Sequence, residues 1–221
     1  MTEKDLINLR RTIYLAIMSS VDFEECCHKL LKMSIRDNQI NELCTMIFEC
    51  CMQERTFSRF YGLLAQRLCQ VAENYQENFN LVFIKQYETI HRLEVNKLRN
   101  AAKFYAHLLY TDSIDWSCMA SVKITEEDTT SASRIFIKIL MQEISSNLGT
   151  APFVKKLAED DNIKPHLKGV FPKDTINNAR FAANFFTSIG LGPLTDDLRE
   201  FLKDAPNLLL EQKYAELLAE A

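Results

Sequence analysis

The chain has 221 residues, 47% of them hydrophobic, and its 26 basic and 30 acidic side chains leave a net charge of −4. This is enough apolar material for one large domain or two small ones, and the charge balance gives no global basic field of the kind that drives nucleic-acid binding. No run approaches the ~18 consecutive apolar residues needed to cross a bilayer. Glu3, Asp5, Arg10 and Arg11 interrupt any signal-peptide core at the N-terminus, so the sequence reads as intracellular.

Leu6, Leu9, Ile13 and Ile17 recur at steps of three and four and predict a first helix. Asp22 is placed to cap a second, with Glu25 in capping-box position and an end near Met33. Ile40, Leu43, Ile47 and Met52 lead a third helix, and Phe60, Leu64 and Leu68 a fourth. Phe79, Phe83, Tyr87 and Ile90 share one stripe, and Leu98, Ala102, Tyr105 and Leu109 form its partner. Gly62 is the sole glycine before Gly149, and all five prolines lie beyond residue 150, so nothing breaks these helices. The pairs begin near residues 2, 38 and 75. Two helices per unit of that length predict an all-α fold, an α-solenoid of antiparallel helix pairs, because a lone hairpin cannot cover its own apolar face.

From Thr111 the texture changes. Asp, Ser and Thr cluster over residues 111–131 and predict loops and caps. Helix resumes near Ala132 with Ile135, Phe136, Ile139, Leu140 and Ile144, and ends at Gly149. Pro152 suits the first turn of a short helix to about Glu159. A further helix runs from near Asp174 to Ile189, with Ile176, Ala179, Ala183 and Phe186 inward. Gly190 and Gly192 read as its C-terminal stop, because no strand precedes them and the third glycine of a dinucleotide loop is missing. Thr195 is placed to cap a helix through Leu198, Phe201 and Leu202, and a last segment puts Leu210, Tyr214, Leu217 and Leu218 on one face. The expected organisation is a helical-repeat core over residues 1–112 and a C-terminal helical extension over 113–221 packed on it. The basic and acidic counts are 14 and 13 up to residue 111, and 12 and 17 beyond it.

Reactive residues show no catalytic or metal-binding pattern. The cysteines (Cys26, Cys27, Cys44, Cys50, Cys51, Cys69 and Cys118) form no C-x-x-C and read as reduced, buried thiols. His28, His91, His107 and His166 lack zinc-site spacing, and adjacent helical residues such as Cys27 and His28 point about 100° apart. The carboxylate pairs Glu24-Glu25, Asp160-Asp161 and Asp196-Asp197 fall near predicted helix ends, where the dipole or water accounts for them. No catalytic residue, metal or cofactor is therefore expected. Arg92, Lys97, Arg99 and Lys103 form a candidate partner or RNA surface, on one face if the helix is continuous. The competing reading is an ordinary solvated helix face, since aromatics for base stacking are absent from it. Residues 125–133 offer hydroxyls that could take phosphate.

Several strings go beyond helix pattern. Leu9 to Ile17 (LRRTIYLAI), followed by Asp22 to Cys26 (DFEEC), resembles the opening of an MA-3 domain. Tyr87 to Glu94 (YETIHRLE), Lys97 to Asn100 (KLRN), Ala106 to Asp112 (AHLLYTD) and Asn184 to Gly192 (NFFTSIGLG) together resemble the C-terminal MA-3 domain of the nucampholin, or Cwc twenty-two-type, pre-mRNA splicing factor family. The likeness covers nearly the whole chain and is weakest over about 141–172 and 205–221.

It implies a non-catalytic protein–protein interaction scaffold in nuclear pre-mRNA splicing, located in the spliceosome and nuclear speckles. The implied partners are spliceosomal core proteins near the catalytic core, close to the exon and intron strands. The family recruits the DEAD-box helicase of the exon junction complex through a domain upstream of this segment. MA-3 domains of translational repressors bind an initiation helicase through acidic residues in inter-helix turns. The matching turn here is Ser19 to Glu24, where Asp22 and Glu24 could carry that role. The alternative to the scaffold is a domain that binds the RNA backbone through the basic face at 92–103.

Overall fold

The computed structural model describes residues 2–219, among which the secondary structure is helical with no strand. The helices are α1 (Glu3–Met18), α2 (Phe23–Lys32), α3 (Ile40–Gln53), α4 (Arg59–Val71), α5 (Glu73–Glu88), α6 (Val95–Tyr110), α7 (Ser131–Leu148), α8 (Thr150–Glu159), α9 (Ile176–Ser188) and α10 (Asp196–Ala219). They fall into two compact units, one of residues 1–118 with 130–149 and one of residues 119–129 with 150–221.

Unit 1 is a stack of hairpins. Helices α1, α3 and α5 pack in series, as do α2, α4 and α6, with α1 against α2 and α3 against α4, and α5 meets α6 through the Phe79–Phe104 and Phe83–Tyr105 rings, which builds two layers from three consecutive helix pairs. The first helices of these hairpins start at Glu3, Ile40 and Glu73. The predicted stripes face inward: Ile13, Ile17, Leu43, Ile47, Leu64, Leu68, Phe79, Phe83, Leu98 and Leu109 are all buried. The centre is a run of rings, Phe48, Phe79, Phe83, Phe104, Tyr105 and Phe136, with neighbouring centroids 4.9–5.9 Å apart. Full burial of one such ring contributes about 1.5–3 kcal/mol. Tyr105 carries its hydroxyl into this core and donates it to the Phe79 carbonyl at 2.9 Å. Asn100, also buried, donates from Nδ2 to the carbonyls of Cys51 (3.2 Å) and Glu54 (2.8 Å), tying α6 to the C-terminal end of α3.

Two features of unit 1 depart from the sequence reading. Helix α7 packs along α6 within unit 1, with Phe136 against Phe83 and Tyr87, so a boundary at 112/113 does not coincide with that between the compact units. Glu25 also does not close a box on Asp22. Asp22 Oδ1 accepts the Glu25 N–H at 2.8 Å, but the Glu25 carboxylate reaches back one residue further, to the Val21 N–H at 2.8 Å.

The polar-textured stretch after Thr111 is not simply solvated. Ile114, Trp116, Cys118, Met119, Val122 and Ile124 are buried, and residues 117–121 form a 3₁₀ turn. Helix α6 ends on Asp112 at φ 53°, with the Asp112 N–H donating to the Leu109 carbonyl and the Ser113 N–H to that of Leu108. This is a Schellman cap with aspartate where glycine is usual.

Unit 2 holds α8, α9 and α10 with 3₁₀ turns at Lys164–Leu167 and Gly192–Thr195. Phe153, Ile163, Leu167, Val170, Ala179, Phe186 and Leu198 are buried in it, and Phe171 stacks on Phe186 at 4.9 Å. Helix α9 begins at Ile176, near the expected start, where the Thr175 hydroxyl caps it by accepting the Asn178 N–H at 3.1 Å. At its other end Gly190, at φ 82°, completes a second Schellman cap, with its N–H on the Thr187 carbonyl and the Leu191 N–H on that of Phe186. Thr195 precedes α10 as expected but is fully buried, and its hydroxyl donates back to the Gly192 carbonyl at 2.6 Å instead of capping α10. Helix α10 runs unbroken through Pro206, joining what the sequence reading divides into two segments. Ala205 is buried, whereas Leu209, Leu210, Tyr214, Leu217 and Leu218 beyond the proline are 45–78% exposed.

Candidate partner-binding surfaces

The turn from Ser19 to Glu24 is braced. Asp22 is engaged as the cap of α2. Lys29 holds both ends, reaching the Ser19 carbonyl at 3.2 Å and the Glu25 carboxylate at 2.9 Å. The Val21 N–H and the Lys29 ammonium hold the Glu25 carboxyl below the usual carboxylate range. Asp22 therefore serves the backbone of the turn, while Glu24 stands exposed on the first turn of α2 beside Val21, which is 91% exposed.

The sequence reading missed a second stripe on α1. Ile7, Tyr14, Leu15 and Met18 are all 47–59% exposed. Ile7, Tyr14 and Met18 follow one another at steps of seven and four, the spacing of a helix face, turned about 100° from buried Ile13 and Ile17. That spacing was readable but was masked by the stronger stripe at Leu6, Leu9, Ile13 and Ile17. Arg10 sits between the two faces and ties α1 to α3, with Nε 3.2 Å from a Glu42 carboxylate oxygen and a terminal nitrogen on Glu49.

The candidate basic face does not assemble as one. Arg92 lies in a 3₁₀ turn at Ile90–Arg92, and Leu93 and Glu94 separate it from the start of α6 at Val95. A continuous helix, the condition for all four cations to align, is thus absent. Within α6, Arg99 and Lys103 are four residues apart and share a face, whereas Lys97 is rotated about 200° from Arg99. Arg99 is exposed and Lys103 half-buried.

The thiols and imidazoles are dispersed or buried. All seven cysteines are buried and free. Burial raises the thiols of Cys26 and Cys50 to about 11 and that of Cys69 to about 12, and pushes Cys44 and Cys51 up as well. A thiol held in that range is a poor nucleophile and a poor ligand. Cys27 faces the core while His28 faces solvent. His107 is buried and neutral: its Nε2–H donates to the Gln66 carbonyl oxygen at 2.8 Å, and the Tyr110 hydroxyl donates to Nδ1 at 3.0 Å. Burial, then the nearby Arg59 charge, lowers its pKa to about 4. Among the described residues no group of three or more His, Cys, Asp or Glu side chains could hold a metal ion, and no helix is long and apolar enough to cross a membrane.

The remaining polar motifs have local partners. Asp160 accepts the Asn162 N–H at 2.9 Å, Asp161 pairs with Lys164 at 3.3 Å, and Asp197 pairs with Lys173. In the Ser/Thr stretch, Thr125 donates to Asp128 at 2.7 Å and Thr129 to the Thr125 carbonyl at 2.6 Å, both from buried positions. Thr130 caps α7 by accepting the Ser133 N–H at 3.2 Å.

The MA3 domain family model matches residues 9–115, which lie inside unit 1. The chain is 55% identical over 212 residues to the pre-mRNA-splicing factor CWC22 homologs of Homo sapiens and Mus musculus, an overlap of 96% of this chain and 23% of each relative. It is 52% identical over 221 residues to the pre-mRNA-splicing factor CWC22 of Mycosarcoma maydis, covering 99% of this chain and 24% of that one. The chain thus spans about a quarter of the length of these relatives. With identity above one half running through both compact units and an MA3 match within the hairpin stack, the chain is similar over nearly its whole length to a segment of the proteins named pre-mRNA-splicing factor CWC22, and its hairpin stack to the MA3 domain.

Proposed function

We propose that this chain is a non-catalytic protein–protein interaction scaffold that acts in nuclear pre-mRNA splicing as part of the spliceosome. The observation that carries this reading is the 52–55% identity to proteins named as pre-mRNA-splicing factors, which extends over nearly the whole chain. The physical character of unit 1 supports it. Stacked hairpins give a long ridged exterior, and the apolar stripe of α1 leads into a braced turn that presents Val21 and Glu24. Buried, protonated thiols and a neutral, fully engaged His107 offer no nucleophile–base pair for turnover.

The partners are spliceosomal core proteins. The exon junction complex helicase binds the parent protein through its upstream domain, with Asp22 and Glu24 contributing little, since Asp22 is already used as a cap. The test is affinity capture of the tagged chain from splicing-competent nuclear extract. Core spliceosomal proteins co-purify if the reading holds, and recovery of none overturns it.

A second reading has α6 contacting RNA backbone, and the shared face of Arg99 and Lys103 favours it. Titration of single-stranded RNA at two salt concentrations separates the two, because phosphate neutralisation must weaken steeply as salt rises.

A further inference from the structure

We propose that unit 2 carries a docking cleft for a short segment of a partner protein in which large apolar side chains stand next to carboxylates. The inference rests on the scaffold reading and assigns it a second surface, separate from the hairpin stack.

The cleft has a volume of about 1060 Å³. Its apolar lining comes from Val154 and Leu157 of α8, Leu167 and Pro172 of the connection that follows, and Leu194 and Leu198 around the start of α10. Small-molecule pockets run to ~300–1,000 Å³ and carry convergent polar groups on an apolar wall. A cleft at the top of that range with a mainly aliphatic lining suits several side chains of a peptide.

Charge decides the chemistry of that peptide. Four lysines and four aspartates line the cleft, but they are not equally available. Asp128 accepts the Thr125 hydroxyl at 2.7 Å, Asp174 accepts the Thr175 N–H at 2.9 Å and the Asn178 amide at 3.0 Å, and Asp197 pairs with Lys173. Asp196 lies in the first turn of α10, where the helix dipole offsets a negative charge. Lys164 reaches Asp161 at 3.3 Å.

Lys123 and Lys168 are exposed and pair with no carboxylate among the described residues. They are held close together, because the neighbouring Ile124 N–H donates to the Gly169 carbonyl at 2.9 Å. That junction needs glycine: a Cβ at Gly169 would lie 2.4 Å from the Val122 carbonyl oxygen. Asp128 and Asp174 keep their charge on neutral donors, so the lining is balanced as a whole, and Lys123 and Lys168 are its two cations left without a carboxylate partner, fixed at one place beside an aliphatic floor. An apolar segment carrying Asp or Glu satisfies both features. RNA satisfies only the charge, since Phe171, the single aromatic of the lining, already stacks on Phe186 at 4.9 Å.

The test is selection of a random phage-displayed peptide library on the purified chain, followed by anisotropy titration of the selected peptides. Selected sequences should combine Leu, Phe or Met with Asp or Glu. Lys123→Glu with Lys168→Glu should weaken their binding roughly tenfold or more without changing the melting curve, and Val154→Arg should abolish it. A selection that yields no binder, basic or purely polar binders, or binding untouched by both variants overturns the proposal. So does a single-stranded RNA oligonucleotide that displaces the peptides with equal affinity, which assigns the cleft to nucleic acid. Self-association in sedimentation that Val154→Arg abolishes assigns it instead to a second copy, with the exposed end of α10 as occupant, and also overturns it. Only the purified chain and displayed or synthetic peptides enter this assay, so its failure leaves the capture of spliceosomal proteins standing.

Discussion

Asn100 is where one side chain decides whether two hairpins hold together. Asn100→Leu keeps the bulk of a buried residue but removes both donors from the end of α3. The Cys51 carbonyl retains the Glu54 N–H at 3.3 Å, so its loss is that of an ordinary hydrogen bond, about 1 kcal/mol. The Glu54 carbonyl loses a 2.8 Å bond in a part-buried site, which costs about 1–3 kcal/mol. The expected total is about 2–4 kcal/mol, measured by urea denaturation followed by far-ultraviolet circular dichroism. Asn100→Asp costs more still, because it buries an acceptor against two acceptors. If both variants unfold within about 0.5 kcal/mol of the natural chain, Asn100 does not tie α3 to α6 and the reasoning fails.

Gly62→Ala places a Cβ 2.8 Å from Cγ of His107, whose ring is fixed by Gln66 and Tyr110, and should destabilise by about 1–3 kcal/mol. In a His107→Ala background the same change should turn stabilising by up to about 1 kcal/mol, the helix-propensity gain, in the same denaturation assay. Because His107 titrates at about 4 when folded against 6.5 when exposed, the unfolded chain binds the extra proton between those values. Its contribution is fully present above pH 6.5 and is lost as pH falls toward 4, on the order of 3 kcal/mol, so His107→Gln should flatten the stability profile in that window alone. Gly190→Ala meets no atom within 4 Å yet holds φ at 82°, so it should cost about 1–2 kcal/mol from backbone conformation alone, read from the melting of unit 2.

Helix periodicity made most of unit 1 legible, because the stripes led by Ile13, Leu43, Leu64, Phe79 and Leu98 are the residues buried in the stack. The glycine stop at Gly190 was equally legible, since a positive φ there leaves few alternatives. What failed were inferences that needed tertiary context. Residues 111–131 read as polar connection, yet Ile114, Trp116, Met119 and Val122 are buried, because isolated apolar residues set among Ser and Asp carry no period. Arg92 looked collinear with Arg99 and Lys103 because charge spacing does not register a 3₁₀ break. The helix through Leu202 and the segment from Leu210 read as separate, but α10 runs through both. The cleft lysines were invisible for a different reason. Lys123 and Lys168 are distant in sequence, and a backbone bond between Ile124 and Gly169 brings them together.

Crosslinking mass spectrometry of the chain in assembled spliceosomes tests the central claim most directly. The scaffold account predicts protein–protein crosslinks from lysines of both units to core spliceosomal proteins, unchanged by Cys27→Ala with His28→Ala. Crosslinks to RNA alone, or assembled spliceosomes in which this chain is joined to no other protein, would contradict it.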